Sequence, residues 1–332
     1  PPPGPDLVPP RLRAGGRVGG GPPPHPPPPP PHRRVPKSAP RPASRGQRAA
    51  YGFIAPLGIG FAVFYFWPMI QTFYFSFTEF GPFGGHTWTG TDNYARVLRD
   101  VTVWQALGNT LIYCGVGLLA LPLAIVVAAL LNRRGLRGVA VYRALYFVPF
   151  VTLPVAVGLV WNWLYNGDFG LLNEILGWFG VGRHYWVSDP STAVLAIGAV
   201  MVWSTTGYYL IIFMAGIKAI PRDYYEAAEL DGAGPLRRFF TITLPLLSPT
   251  LFFASVICMI QSLQTFDLIY IMMGEKNPAV GDTQSVVGLF YKWAFIENAQ
   301  GAAAALAFLL MLLIAGLTYL QFRLQRKWVH YG

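Results

Sequence analysis

Charge is what this sequence has least of. Asp, Glu, Lys and Arg make up 12% of its 332 residues, about half the share of an ordinary soluble domain. With a mean hydropathy of +0.41, most of the chain belongs in lipid rather than water. Cysteine is nearly absent. Cys114 and Cys258 each lie in an apolar run, no C-x-x-C or Cys/His spacing occurs, and His25, His32, His86, His184 and His330 are scattered. This pattern excludes a disulfide framework, offers no metal site and contains no catalytic constellation; the thiols read as packing groups. A G-x-x-x-x-G-K-S/T loop is also missing. The chain therefore binds neither ATP nor its Mg through a P-loop of its own, and energy for any work comes from a partner or an ion gradient. The net charge of +10 would suit nucleic acid, but nine of the 25 Lys and Arg lie in the first 50 residues. The rest form no basic helix face interleaved with aromatics, which excludes a nucleic-acid partner.

The first 48 residues, rich in Pro, Gly and Arg, are too poor in large apolar side chains to build a core. They are expected to stay disordered or locally polyproline II, as a basic cytoplasmic tail. They hold no apolar h-region with a cleavage site and so do not read as a signal peptide.

Beyond residue 49 the chain turns apolar. Six segments are long enough to cross a bilayer, at roughly 52–78, 107–131, 141–165, 191–216, 247–271 and 302–322. Their apolar runs are continuous rather than alternating, so the expected class is an all-α membrane protein of six transmembrane helices over residues 49–325, with a cytoplasmic tail at 326–332. In "VSDPST", Ser188 or Asp189 offers a cap with Pro190 in the first turn of span four, and "LLSPT" repeats the pattern for span five. The segments after spans two and four, the first turn of span three and the C-terminal tail carry Arg133, Arg134, Arg137, Arg143, Lys218, Arg222, Arg237, Arg238, Arg323, Arg326 and Lys327. The opposite loops carry only Arg96, Arg99, Arg183, Lys276 and Lys292. The positive-inside rule then places both termini in the cytoplasm. Trp161, Trp163 and Tyr165 fall at the outer end of span three, where an aromatic belt is expected.

Between spans four and five, residues 217–246 form a charged loop in an otherwise oily chain. Glu226, Glu229, Asp231, Arg237 and Arg238 are broken there by Gly232, Gly234 and Pro235. "RDYYEAAEL" reads as a helix with Tyr225, Ala228 and Leu230 available for packing. Gly232 and Gly234 end it, and Pro235 starts a second turn. Such a helix–Gly–helix suits docking into a groove on another protein. It equally suits a surface helix held by Arg237 and Arg238 to anionic lipid.

One pattern in this loop is more specific. Glu226-Ala227-Ala228, three residues, Gly232, nine residues, Ile242, one residue and Leu244-Pro245 resemble the EAA–x3–G–x9–I–x–LP signature of bacterial ABC importer permeases. "TGTDNYARVL", "YRALYFVPFVTLPVAVGLVWNWLYNGDFGLLNEIL" and "KAIPRDYYEAAELDGAGP" are similar to the carbohydrate, maltose-type members. The likeness covers residues 50–325. "FDLIYIMMGEKNP" departs from that family's outer-loop pattern at Met273, Glu275 and Lys276. The resemblance implies a bacterial cell-membrane assembly of a second, often different, permease, two P-loop ATPases and an extracytoplasmic solute-binding protein. It also implies a coupling helix in which Glu226 contacts the ATPase, Ala227 and Ala228 allow close approach, and Gly232 bends the loop.

Polar side chains are costly in a membrane, so their clustering is informative. Cys258, Gln261, Ser262 and Thr265 recur on one stripe of span five, and Met201, Ser204, Thr205 and Tyr208 on one of span four, with Trp203 beside them. Two such stripes with aromatic rings suit a sugar, and they equally serve as glue between helices. The family resemblance adds Phe150 and Pro154 from span three to the solute path. Asp267 reads as a helix-end acid rather than an ion-coupling group. The expected function is solute translocation as a permease subunit, for a carbohydrate or related polyol. The alternative is an ion-coupled secondary transporter, which would call for inverted repeats and midplane charges. A scaffold without cargo would need neither stripes nor loop.

Overall fold

The computed structural model of the chain describes residues 45–80, 85–133, 135–274 and 276–326. Most of the expected disordered tail, together with Arg134, Glu275 and residues 327–332, lies outside these. The chain divides into two units, Pro1–Gly58 and Ile59–Gly332. The described part of the first is the opening of helix α1 (Arg45–Phe61). That helix starts ahead of the expected boundary at residue 49, because no proline follows Pro42 until Pro56.

In the second unit the helical run continues through a π segment (Ala62–Phe66) into α2 (Trp67–Phe75). A short antiparallel hairpin follows, β1 (Thr78–Phe80) on β2 (His86–Trp88), with Thr78 opposite Trp88. Then come α3 (Asp92–Arg99), α4 (Val101–Gly117) and α5 (Ala120–Leu131). The "TGTDNYARVL" segment acts here as a clasp. Buried Asn93 donates from Nδ2 to the carbonyls of Ser76 and Thr78 at 3.0 and 2.8 Å, and the Tyr94 hydroxyl meets Ser76 Oγ at 2.7 Å.

Of the six expected spans, four are helices long and apolar enough to cross a bilayer: Ala50–Phe75, Val101–Leu131, Pro190–Ala219 and Gln300–Gln325. At spans three and five stand pairs of helices, each bent sharply at a short break, which bring the number of crossings to six where each pair is taken as one span. Span three is α6 (Val139–Val151) and α7 (Pro154–Leu164), meeting at 97°. Pro154 forces the residue before it out of the helical region, and Thr152 and Leu153 accordingly have ψ near 139° and 133°. At its C-terminal end Trp163 is exposed, but Tyr165, expected in an aromatic belt, is not. It is buried and donates to the Ala196 carbonyl at 3.1 Å. A loop bearing α8 (Leu171–Gly177) leads to α9 (Pro190–Ala219). Asp189, not Ser188, caps α9 by accepting from the Ser191 N–H and hydroxyl at 2.9 and 2.8 Å, which holds its carboxyl below the usual range.

After α9 come α10 (Arg222–Leu230), α11 (Pro235–Arg238), a π segment (Phe239–Thr243), α12 (Leu244–Leu246) and α13 (Ser248–Leu263). The run Pro235–Leu246 meets α13 at 68°. Ser248 does not cap α13 but stands in its first turn, donating to the Pro245 carbonyl at 2.7 Å. The helix stops at Leu263 rather than near 271, and α14 (Asp267–Met273) restarts beyond a non-helical Phe266. Next are α15 (Val280–Thr283), α16 (Val286–Tyr291), a third π segment (Lys292–Ile296) and α17 (Gln300–Gln325).

Helix α9 is the spine of this unit. Tyr209, Leu210 and Phe213 on it are fully buried against Ala120, Ala124 and Ala128, which repeat every fourth residue along α5 and are fully buried themselves. Lipid tails are as apolar as leucine, so close packing of small residues has to hold such helices together. Gly207 takes this furthest, since a Cβ there would run into the Tyr146 carbonyl of α6. A second cluster joins α7, α9 and α14, and a third joins α4, α16 and α17.

Candidate functional site

The loop after α9 is built from local rules. Helix α10 ends in a paired turn: the Ala233 N–H donates to the Ala228 carbonyl at 2.8 Å and the Gly232 N–H to the Glu229 carbonyl at 3.1 Å. That closure needs a left-handed residue after the cap, and Gly232 supplies it with φ +72°. A Cβ at Gly232 would meet nothing within 4 Å, so glycine is required there for conformation and not for space. Pro235 then opens α11, as its fixed φ and missing N–H favour.

Two contacts tie the loop to itself. Arg238 Nη1 lies 3.4 Å from Glu229 Oε1, and the Tyr225 hydroxyl meets Thr243 Oγ1 at 3.0 Å. Glu226 and Ala227 are exposed and Ala228 is half-buried. Leu230, expected to pack, is instead 90% exposed, with Leu236 at 77% and Phe240 at 62%. A helix that turns inward through Tyr225 therefore offers acid, alanine and leucine outward.

The second site is the pair of polar stripes, and they divide. Cys258 and Ser262 are buried against α4: Cys258 Sγ lies 3.4 Å from the Gly117 carbonyl, and a Cβ on Gly117 would strike Ser262 Oγ. Gln261 is exposed, and its Oε1 accepts from the buried Tyr209 hydroxyl at 3.1 Å. Tyr209 packs edge-on to Tyr208 at 5.1 Å, and Tyr208 stacks on Phe150 with ring centres 4.7 Å apart. Trp161 meets Trp203 edge-on at 5.4 Å. Ser204 and Thr205, half-exposed, both donate back to the Met201 carbonyl, and Thr265 Oγ1 reaches Met201 Sδ at 3.5 Å. Gln261, Tyr209, Tyr208 and Phe150 thus make one continuous line of contacts across α13, α9 and α6. Asp267 is exposed in the first turn of α14.

Residues 120–330 match the family model described as "Binding-protein-dependent transport system inner membrane component". The chain belongs to that family. The permease is 35% identical to the probable ABC transporter permease protein YesP of Bacillus subtilis, over 85% of this chain and 92% of that one. It is 34% identical to the sn-glycerol-3-phosphate transport system permease protein UgpA of Agrobacterium fabrum, covering 85% and 96%. It is 33% identical to the trehalose/maltose transport system permease protein MalF of Thermococcus litoralis, covering 85% and 95%. Among solved structures, a bacterial ABC transporter for the acidic polysaccharide alginate, in complex with a periplasmic protein, shares the fold at TM-score 0.77 and 21% identity, over 86% of this chain and 97% of that one. The permease is a multi-pass inner-membrane protein that moves solute rather than transforming it.

Sequence reasoning missed Tyr209, which orders Gln261. Its signal was present: Tyr208-Tyr209 directly follows Gly207 on a membrane helix, where a hydroxyl needs a partner. It also missed Gly117 and Gly207, whose importance depends on what faces them.

Proposed function

We propose that the permease works in an ATP-driven importer for a carbohydrate or related polyol, delivered by an extracytoplasmic binding protein. In this reading both termini are cytoplasmic, by the distribution of Lys and Arg. Residues 217–246 are the coupling loop, with Glu226, Ala227 and Ala228 against a separate P-loop ATPase and Gly232 shaping the turn. ATP and Mg belong to that partner. The observation that carries this is the form of the loop: a rigidly closed helix end that presents acid and leucine outward, on the residues of the family signature. A second permease, different from this chain, completes the assembly and covers part of the exposed apolar surface. Phe150, Ser204, Tyr208 and Gln261 form this chain's half of the solute path, with Thr205 and Thr265 bordering it and Cys258 and Ser262 supporting it from behind. An exposed amide in an apolar span is stable where it meets water, solute or a partner helix. The names of the sugar and glycerol phosphate relatives support the cargo class, and the absence of Lys and Arg deep in any span favours a neutral solute.

The test is a gentle detergent pull-down from the native membrane. A second EAA-bearing permease and a P-loop ATPase should co-purify, and the Glu226→Lys variant should lose the ATPase while remaining inserted. Recovery of the chain alone, with solute flux following an ion gradient, would overturn the reading.

A further inference from the structure

A cavity of about 770 Å³ opens between the ends of α5 and α9 and the loop that follows α9. Its floor is apolar, formed by Val126, Ala129 and Leu130 of α5, Ile217 of α9, and Phe239. Its rim is basic, with Arg133, Lys218, Arg222 and Arg238 against a single carboxylate, Glu229. Glu229 is already engaged by Arg238 at 3.4 Å. Among the described residues no carboxylate lies within ion-pairing distance of Arg133, Lys218 or Arg222. Four cations thus face one carboxylate in the lining of this groove, over an oily floor.

Its depth matches a membrane boundary. From Val126 to the end of α5 at Leu131 the helix axis rises about 7.5 Å, comparable to the polar zone that separates hydrocarbon from bulk water, and Arg133 follows two residues beyond the helix end. The apolar lining starts inside span two, Arg133 stands where the chain leaves that span, and Lys218 and Arg222 stand where it leaves span four. A soluble anion would have no use for the floor, and an uncharged lipid none for the rim. Basic pockets between membrane helices at this level recognise anionic headgroups.

We propose that this groove is a binding site for an anionic phospholipid of the cytoplasmic leaflet, with its phosphate among Arg133, Lys218 and Arg222 and its acyl chain along Val126, Ala129 and Leu130. The site joins the end of span two to the coupling loop, so bound lipid would brace that loop against the bundle. Only the naming of the leaflet rests on the orientation argued above.

The experiment is native mass spectrometry of the permease purified with its partner subunits, titrated with phosphatidylglycerol or phosphatidylethanolamine of matched chains. The wild type should retain phosphatidylglycerol at lower concentration than phosphatidylethanolamine. The Arg133→Gln/Lys218→Gln double variant should lose that preference by roughly thirtyfold, and each single variant by roughly fivefold. Arg96→Gln/Arg99→Gln, on the opposite side, should leave it unchanged. Equal retention of the two lipids by the wild type would overturn the proposal, as would double or single variants that bind phosphatidylglycerol like the wild type. Release of an ATPase subunit from the double variant with lipid retention intact would also overturn it, assigning the groove to the ATPase. Retention is read without transport, so failure of the import reading would leave this result standing.

Discussion

The loop 217–246 and the α5–α9–α6 core use the same residue, glycine, for opposite reasons. At Gly232 the backbone is left-handed and the space around it is empty. At Gly207 the backbone is ordinary helix, and the space is taken by the Tyr146 carbonyl and Phe147 Cα of α6. One glycine sets the direction of a presented surface, and the other lets two helices touch. The loop is held by a few local hydrogen bonds and one half-exposed ion pair, each of modest worth. The core is held by close contact over many turns. A region closed by local bonds and a region closed by tight packing thus differ in what they tolerate.

The largest break in this comparison should come from Gly207→Val. Overpacking against a backbone carbonyl costs on the order of 3 kcal/mol, because a carbonyl cannot rotate away as a side chain does. The expected outcome is loss of properly assembled permease, read as rapid proteolysis of membranes and aggregation in detergent. Normal yield and protease resistance would mean that α6 and α9 are less tightly apposed than described.

Substitutions at Gly232 sharpen the contrast. A β-branched residue in the left-handed region costs about 1–2 kcal/mol, whereas asparagine adopts it readily. Gly232→Val should insert normally yet lose ATPase association and uptake, while Gly232→Asn should keep most of both. Equal loss in the two variants would show that space, supplied there by a partner, matters more than conformation.

The mildest effect on uptake is expected at Gln261. Gln261→Ala removes an exposed amide and leaves the buried Tyr209 hydroxyl without its acceptor, costing about 1–3 kcal/mol of local order. Uptake kinetics over a panel of neutral sugars and polyols should show a raised apparent KM with assembly intact. Unchanged kinetics across the panel would place Gln261 in helix packing instead.

The sequence by itself determined the class, the number of apolar segments and the helix–turn–helix form of the 217–246 loop, because these depend on local chemistry. Apolar runs of bilayer length declare spans, Ser188 or Asp189 before Pro190 declares a helix start, and Gly232 followed by Pro235 declares a turn and a new helix. Each signal is read within a few residues. Only the tertiary structure decided which face of each stripe turns inward. Cys258 and Ser262 share helical spacing with Gln261, yet Gly117 of α4 draws the first two into the core and leaves the amide outside. The bend at Thr152–Leu153 was foreshadowed by Pro154, but its angle was not, since proline excludes a continued helix without choosing the direction taken. Clasps between distant segments were equally illegible. Asn93 holds Ser76 and Thr78, and Gly301 makes room for the Thr78 carbonyl, because a hydrogen bond or a close approach is a property of two places in the chain, and periodicity describes one.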